Sequence, residues 1–444
     1  MSLLLQLIVL ILIFYVAYNK LGKDVFSPTV LLSIGYIITT TFAIYNLQRW
    51  KSDISLVAVL IVLMGVLFFF LTEIFWKRVR IKGKSGSAYV VPEQLKQINE
   101  SKYNIKLIIA VVIAVVATVV LYREITRIAY SNYRDWGNLI YNYRQNRSEE
   151  QINIIARIAN YLTKAFAYVY LFCFINKITE SKRILKWRIA KNIPLLIPGI
   201  LYSAQTLLLG ARIGIISFGV AGIFMYNLLM QYKYEKSIHV NIIKFIKGVI
   251  LFIIICVLFF KVQEFIGRDQ SKMSILDYVA TYLGGSMDLF SQYIKNPNGY
   301  NMGHETFAGI ISNLQSYVGI LKNVKVTTSH EFRVARTGFV IGNTYTGFRN
   351  YYNDFGFVGG ILAIILFASI FTSIYYMIKK IRKLNRFLVA TIVIFASEIY
   401  CVLFHFFCDY FLAGISVNRA INYLLIIVVC IFVFDKKMIT VEKC

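Results

Sequence analysis

Charged residues are scarce in this chain of 444 residues: Asp, Glu, Lys and Arg together make up 16%, where soluble domains carry about 25%. Proline occurs only 5 times and glycine 26 times, which excludes collagen-like and low-complexity chains. The 6 cysteines also say little. Cys173, Cys256, Cys401, Cys408 and Cys430 sit in apolar stretches and Cys444 ends the chain, so no disulfide framework is expected. They read as small buried hydrophobes.

Several chemical signatures are missing as well. There is no Walker loop and no dinucleotide-binding glycine fingerprint. No Asp-x-Asp pair occurs that could grip a nucleotide diphosphate through a metal. His304-Glu305 is followed by Thr306, Phe307 and Ala308, and His330-Glu331 has no second histidine nearby, so zinc chemistry is not expected. A Gly-x-Ser-x-Gly elbow is absent, as is any repeat of about 20–50 residues. No metal and no cofactor is expected.

What is present is apolar. Hydrophobic residues make up 58%, and mean hydropathy is +0.63. They come in long blocks, the mark of membrane spans. Backbone groups in lipid must be satisfied within their own segment, so each block is expected to be a helix. Eleven spans are predicted, near 3–18, 26–45, 54–76, 105–122, 154–175, 193–209, 213–231, 247–262, 355–378, 387–408 and 413–434. The first is read as a retained span, because it lacks a basic leader and a cleavage site. The fold class is therefore all-α, a single multi-pass membrane domain over 1–444.

The net charge of +26 would point to nucleic acid in a soluble protein. Here the basic runs lie between apolar blocks, so no nucleic-acid partner is expected and the runs mark the cytoplasmic side. Loops 77–104 and 176–192, the flanks of the 213–231 and 247–262 spans, the 379–386 connection and the C-terminus carry most of the lysines. Eleven alternating spans put all of these on one side, with the N-terminus outside and the C-terminus in the cytoplasm.

The outer side then holds segments 123–153 and 263–354, and their basic residues differ in kind. The first has Arg123, Arg127, Arg134, Arg144 and Arg147 and no lysine; the second has Arg268, Arg333, Arg336 and Arg349 beside four lysines. Arginine forks phosphate or carboxylate with two parallel hydrogen bonds, as lysine cannot. Headgroups, or Glu124, Asp135, Glu149 and Glu150, are the competing partners. Segment 263–354 is too long for a bare connection. Ser274-Ile-Leu-Asp277 has capping-box spacing and opens a helix to Leu283. Gly284-Gly285 is expected to break it before 287–294, and another helix is expected near 305–321. These read as short helices on the outer leaflet.

Gly210-Ala-Arg-Ile-Gly214 joins two spans almost without a loop. The glycines fit a close helix contact, while Arg212 points to an anionic ligand. Glu398 and His405 share a helix face by spacing, and an Asp409–Arg419 ion pair is expected to lock the last two spans.

From Arg333 to Gly360, arginines, tyrosines and amides crowd together. Asn343-Thr-Tyr-Thr-Gly-Phe-Arg349, Tyr351-Tyr-Asn-Asp-Phe-Gly356 and Gly359 resemble the Wzy-type polymerases of bacterial O-antigen and capsule assembly. Tyr282-Leu-Gly-Gly285 with Phe290, the 303–310 segment and the Arg212 junction look like parts of the same family; the first 200 residues match it in hydropathy only. The resemblance implies a nucleotide-independent glycosyltransferase at the outer face of the bacterial cytoplasmic membrane. It would transfer a glycan from undecaprenyl diphosphate to another lipid-linked oligosaccharide, with a flippase and a chain-length regulator as partners. Arg212, Arg336 and Arg349 would hold diphosphate, and His304, Glu305 or Asp354 would take the acceptor proton. Tyr345, Tyr351 and Tyr352 would line the sugar groove. A flippase or exporter, a lipid-linked glycan ligase and a proton-coupled carrier using Glu398 and His405 are the competing readings.

Overall fold

The computed structural model describes residues 1–79, 100–130, 136–147, 150–180, 186–234, 274–297, 299–324, 326, 329–380 and 385–434. The predicted span 247–262 and much of the basic 77–104 loop lie outside these residues. The helices are α1 (Ser2–Lys20), α2 (Pro28–Trp50), α3 (Leu56–Arg78), α4 (Glu100–Ala129), α5 (Trp136–Asn146), α6 (Ile154–Ile178), α7 (Lys186–Asn192), α8 (Ile197–Leu208), α9 (Ile213–Tyr234), α10 (Ile275–Lys295), α11 (Ala308–Asn313), α12 (Phe348–Lys380), α13 (Arg386–Glu398), α14 (Tyr400–Leu403) and α15 (Val417–Val433). Among the described residues eight helices are long and apolar enough to cross a membrane. The chain is an all-α, multi-pass membrane protein, and its only described sheet is a two-stranded hairpin.

Most predicted spans become helices close to their predicted bounds, because lipid leaves the backbone no other partner. Two differ. Predicted span 193–209 is a 3-10 turn followed by the 12-residue α8; at 1.5 Å per residue that is about 18 Å, short of a hydrocarbon core. Predicted span 387–408 stops being helical at Leu403, leaving His405 in a turn.

One end of the bundle gathers lysines. Lys77 Nζ reaches Lys20 O (2.6 Å), Lys380 Nζ reaches Val79 O (2.5 Å), Lys379 pairs with Asp24 (2.6 Å) and Lys233 binds Asn176 Oδ1 (2.7 Å). Buried Glu73 from α3 sits at the same end and accepts Ser27 Oγ (2.6 Å) and Thr29 N–H (2.7 Å), capping α2 where Pro28 starts it.

The glycines of α10 do not break it. Ser274 caps the helix through Asp277 N–H as predicted (3.1 Å), but the helix runs unbroken to Lys295. It is also no leaflet-bound amphipathic segment: residues 283–291 are all buried. A Cβ on Gly284 would stand 2.6 Å from Phe42 C and 2.7 Å from Ala43 N on α2. Close backbone crossing is the reason for that glycine. Gly284→Ala is expected to cost about 1–3 kcal/mol, because the obstructing atoms are backbone. A lower melting temperature in detergent would show it; an unchanged one would refute the crossing.

Candidate functional site

The site forms at the end of the bundle opposite the lysines. Gly356 (φ 65°, ψ −163°) interrupts α12, so residues 348–355 make a separate short helix ahead of the span. The left-handed backbone there suits glycine, and a Cβ would also meet the Tyr300 ring at 2.8 Å. This short helix carries Arg349, Asn350, Asn353 and Asp354, all buried.

Asp354 holds the neighbouring loop. Its carboxylate accepts the N–H groups of Glu305 (3.1 Å) and Thr306 (2.6 Å), while Asn353 O and Asp354 O accept from Asn301 and Met302 (both 3.2 Å). That loop presents Glu305. From the other side comes the hairpin of β1 (Arg333–Val334) and β2 (Val340–Gly342), preceded by His330 and Glu331. Phe339 stacks on Trp50 (5.6 Å), and Trp50, Leu289, Tyr293, Ile341 and Tyr345 form one buried cluster that seats the hairpin on α10.

Arg349 lies at the centre, 1% exposed. Its guanidinium carbon stands 4.3 Å from the Tyr345 ring centre and 4.6 Å from that of Tyr293. Its Nη2 donates to Glu331 Oε2 (2.9 Å) and lies 3.5 Å from Glu305 Oε1. Two aromatic faces and two carboxylates let a guanidinium be buried here, since cation–π contact and ion pairing offset lost hydration. Its Nε and Nη1 make no hydrogen bond, and neither do Glu305 Oε2, His330 Nδ1 or Asn353 Nδ2. Buried polar groups are ordinarily satisfied. These donors and acceptors, with Arg349 at their centre, make this the most polar buried cluster on the short helix and its neighbouring loops.

The electrostatics are uneven. Burial pushes the Glu305 carboxyl up to about 7, with nearby Arg349 opposing the shift. Burial, with help from Arg349, pushes His330 down to about 4, so it is neutral at pH 7; its Nε2 faces Asn350 Oδ1 at 3.1 Å. For Glu331, burial acts upward but its backbone hydrogen bond, Arg349 and Arg333 outweigh it and hold the carboxyl below its usual value. Arg333 donates to Glu331 Oε1 (2.9 Å) and stands over the Tyr293 ring. Two carboxylates thus occupy distinct states: Glu331 ionised and paired, Glu305 poised near neutrality.

No family model, no curated protein and no solved structure matches this chain.

The residues picked from the sequence divide into groups. Arg349, Glu305 and Tyr345 share the site, and Asp354 serves it through backbone contacts, both its oxygens being engaged. The His304 ring makes no hydrogen bond among the described residues, and its backbone N–H goes to Asn301 O (3.1 Å). Tyr351 turns into the helix bundle, where its hydroxyl meets His405 Nε2 (3.3 Å). Tyr352 packs half-buried between the bundle core and the hairpin cluster.

The three arginines do not converge. Arg336 is 65% exposed on the hairpin and pairs with Asp53 (3.0 Å), which also binds Lys295 (2.6 Å). Arg212 donates to Tyr278 OH (2.8 Å) and stands over the Tyr282 ring (5.5 Å). Tyr278 and Tyr293 both lie on α10, fifteen residues apart, so Arg212 and Arg349 serve positions about 22 Å apart along it. Beside Arg212, Gly210 takes a left-handed turn (φ 64°), and a Cβ on Gly214 would touch Thr206 Cγ2 at 2.6 Å. The glycines thus make one turn and one close contact.

The expected Asp409–Arg419 pair is not formed. Asp409 accepts the N–H groups of Phe411, Leu412 and Ala413, while Arg419 lies 3.7 Å from Glu398 and donates to Phe411 O and Tyr410 O. A turn at 404–416 replaces the expected helix, and a buried carboxylate there takes the nearest free N–H groups. The sequence does not mark Tyr293, Glu331 or Arg333 for the site: Arg333 is one of several cations in the crowded stretch, and His330-Glu331 carries no signal beyond an incomplete metal motif.

Proposed function

We propose that this protein is a Wzy-type polymerase that joins undecaprenyl-diphosphate-linked oligosaccharides at the outer face of the bacterial cytoplasmic membrane. In this reading the lysine end faces the cytoplasm by the positive-inside rule, and the Arg349 site faces the outer leaflet. The observation that carries it is the buried Arg349, with two N–H groups free of hydrogen bonds beside a carboxyl near neutral pKa.

Glycosyl transfer from a lipid diphosphate needs two things from the protein. A base must take the acceptor O–H proton as that oxygen bonds to the donor's anomeric carbon. A cation must hold the diphosphate as the bond between its oxygen and that carbon breaks and its negative charge grows. Glu305 suits the first role, since a base works best with a pKa near the working pH. Arg349 suits the second, because fixed donors in a low-dielectric site act on developing charge without reorganising. The Tyr293 and Tyr345 rings hold the Arg349 guanidinium in place, Arg212 would engage the second lipid diphosphate about 22 Å along α10, and Arg336 would stand at the rim.

The test is purified protein in proteoliposomes with a lipid-linked repeat unit and no nucleotide. A ladder of longer lipid-linked glycans is expected. No ladder, with labelled lipid moving between leaflets instead, would make the protein a flippase. Arg336→Ala is expected to lower ladder formation by no more than a few-fold, its pair being exposed; complete loss would move the site to the hairpin tip.

A further inference from the structure

A polar cavity lies at the lysine-rich end of the bundle, away from the Arg349 site. Its volume is about 320 Å³. It opens where the C-terminal turn of α6 meets α7 and the start of α4, close to the Lys233 contacts with Asn176 and Thr179. Lys177, Arg188 and Lys191 line it, with Glu180 the one carboxylate among the described residues.

Among the described lining residues three cations face one carboxylate. Glu180 lies 3.5 Å from both Lys177 Nζ and Arg188 Nη1. Arg188 Nε and Nη1 are buried and make no hydrogen bond. Glu180 is thus shared by two cations, and Lys191 adds a third to the same wall, so the lining carries a net positive charge that a phosphate complements. The apolar part of the lining is Leu107, Pro194 and Leu195. Trp187, 60% exposed, stands at the mouth with Arg188 over its ring (5.4 Å), as tryptophan does where a bilayer meets water.

We propose that this cavity binds the phosphate headgroup of an anionic phospholipid from the leaflet at the lysine-rich end. A cationic wall, an apolar side and an interfacial tryptophan fit an amphiphile whose phosphate carries the charge, as basic pockets between spans do. Free phosphate shares the headgroup's chemistry but has no use for the apolar side. The inference needs only that the protein spans a membrane, and stands whether or not it polymerises glycans.

The experiment uses full-length protein exchanged into nanodiscs of phosphatidylcholine with a tenth of brominated phosphatidylglycerol. Bromine quenching of tryptophan is expected in wild-type protein. Trp187→Phe should lose that component, and Arg188→Ala/Lys191→Ala should need about tenfold more phosphatidylglycerol to reach it. Lys20→Ala/Lys23→Ala, which removes two charges at the same end outside the cavity, should behave as wild type. Size-exclusion profiles confirm that each variant is folded. Equal quenching by brominated phosphatidylcholine, or indifference to Arg188→Ala/Lys191→Ala in folded protein, overturns the proposal. So does loss of the quenching on adding millimolar inorganic phosphate, which would make this a site for soluble phosphate.

Discussion

Arg349→Lys is expected to lower glycan transfer about 10²–10³-fold while leaving the protein folded and inserted. The substitution keeps the charge and removes the planar fork. Lysine cannot lie flat between the Tyr293 and Tyr345 rings, 4.6 and 4.3 Å from the guanidinium carbon, nor reach Glu331 and a diphosphate at once from one planar group. Arg349→Ala is the less informative change. It leaves Glu305 and Glu331 without their shared cation, and breaking a buried pair costs about 3–5 kcal/mol, so lost activity would be confounded with lost fold. Initial rates of ladder formation for wild type and Arg349→Lys, normalised to folded protein, make the measurement. A native rate in Arg349→Lys would remove this arginine from the chemistry.

Glu305→Gln is expected to lower the transfer rate about 10²–10⁴-fold, the range for loss of a positioned base. Glu305 should also shape the pH profile of the wild type. Its carboxyl is pushed up to about 7 by burial, and only the carboxylate can accept the acceptor proton. The rate should therefore rise with pH through about 7 and level off above. His330, near 4, titrates too low to produce that limb. A flat profile between pH 5.5 and 8, or an unchanged limb in the residual activity of Glu305→Gln, would assign the base elsewhere. Stability should run the opposite way. A carboxyl raised in the fold from 4.5 contributes stability that is whole below about 4.5 and lost as pH rises through about 7. Melting temperature should fall across that window in wild type and less so in Glu305→Gln.

Much of the architecture was legible because lipid allows so few solutions. Spans such as 54–76 and 154–175 became helices within a few residues of their predicted ends. The Ser274 cap was readable too, since a cap is a local hydrogen bond. Glycines were harder to read. Gly284 looked like a helix breaker and is a crossing point, because the backbone of α2 lies where its Cβ would be. Gly356 sits one residue after the predicted start of its span, and its left-handed backbone sets off the short helix that delivers Arg349. The Asp409–Arg419 pair failed for a similar reason. Spacing assumed a continuous helix, and the turn after Leu403 handed Asp409 to the backbone and Arg419 to Glu398.

Composition and hydropathy by themselves determined that this is a multi-pass helical membrane protein with a lysine-rich end, while Arg349, Glu305 and Tyr345 were marked only by the resemblance of their stretch to a known family. Those properties follow from residue types and their order, since the bilayer punishes any unpaired backbone group or stray charge. Which of nine candidates would meet was decided only in three dimensions. Arg349 finds Glu331 and Tyr293 across 18 and 56 positions of chain, through a hairpin seated on a helix that crosses α2 at a glycine. No local pattern encodes such a meeting, because it depends on how separate elements pack and on where the buried guanidinium can find aromatic faces and carboxylates together.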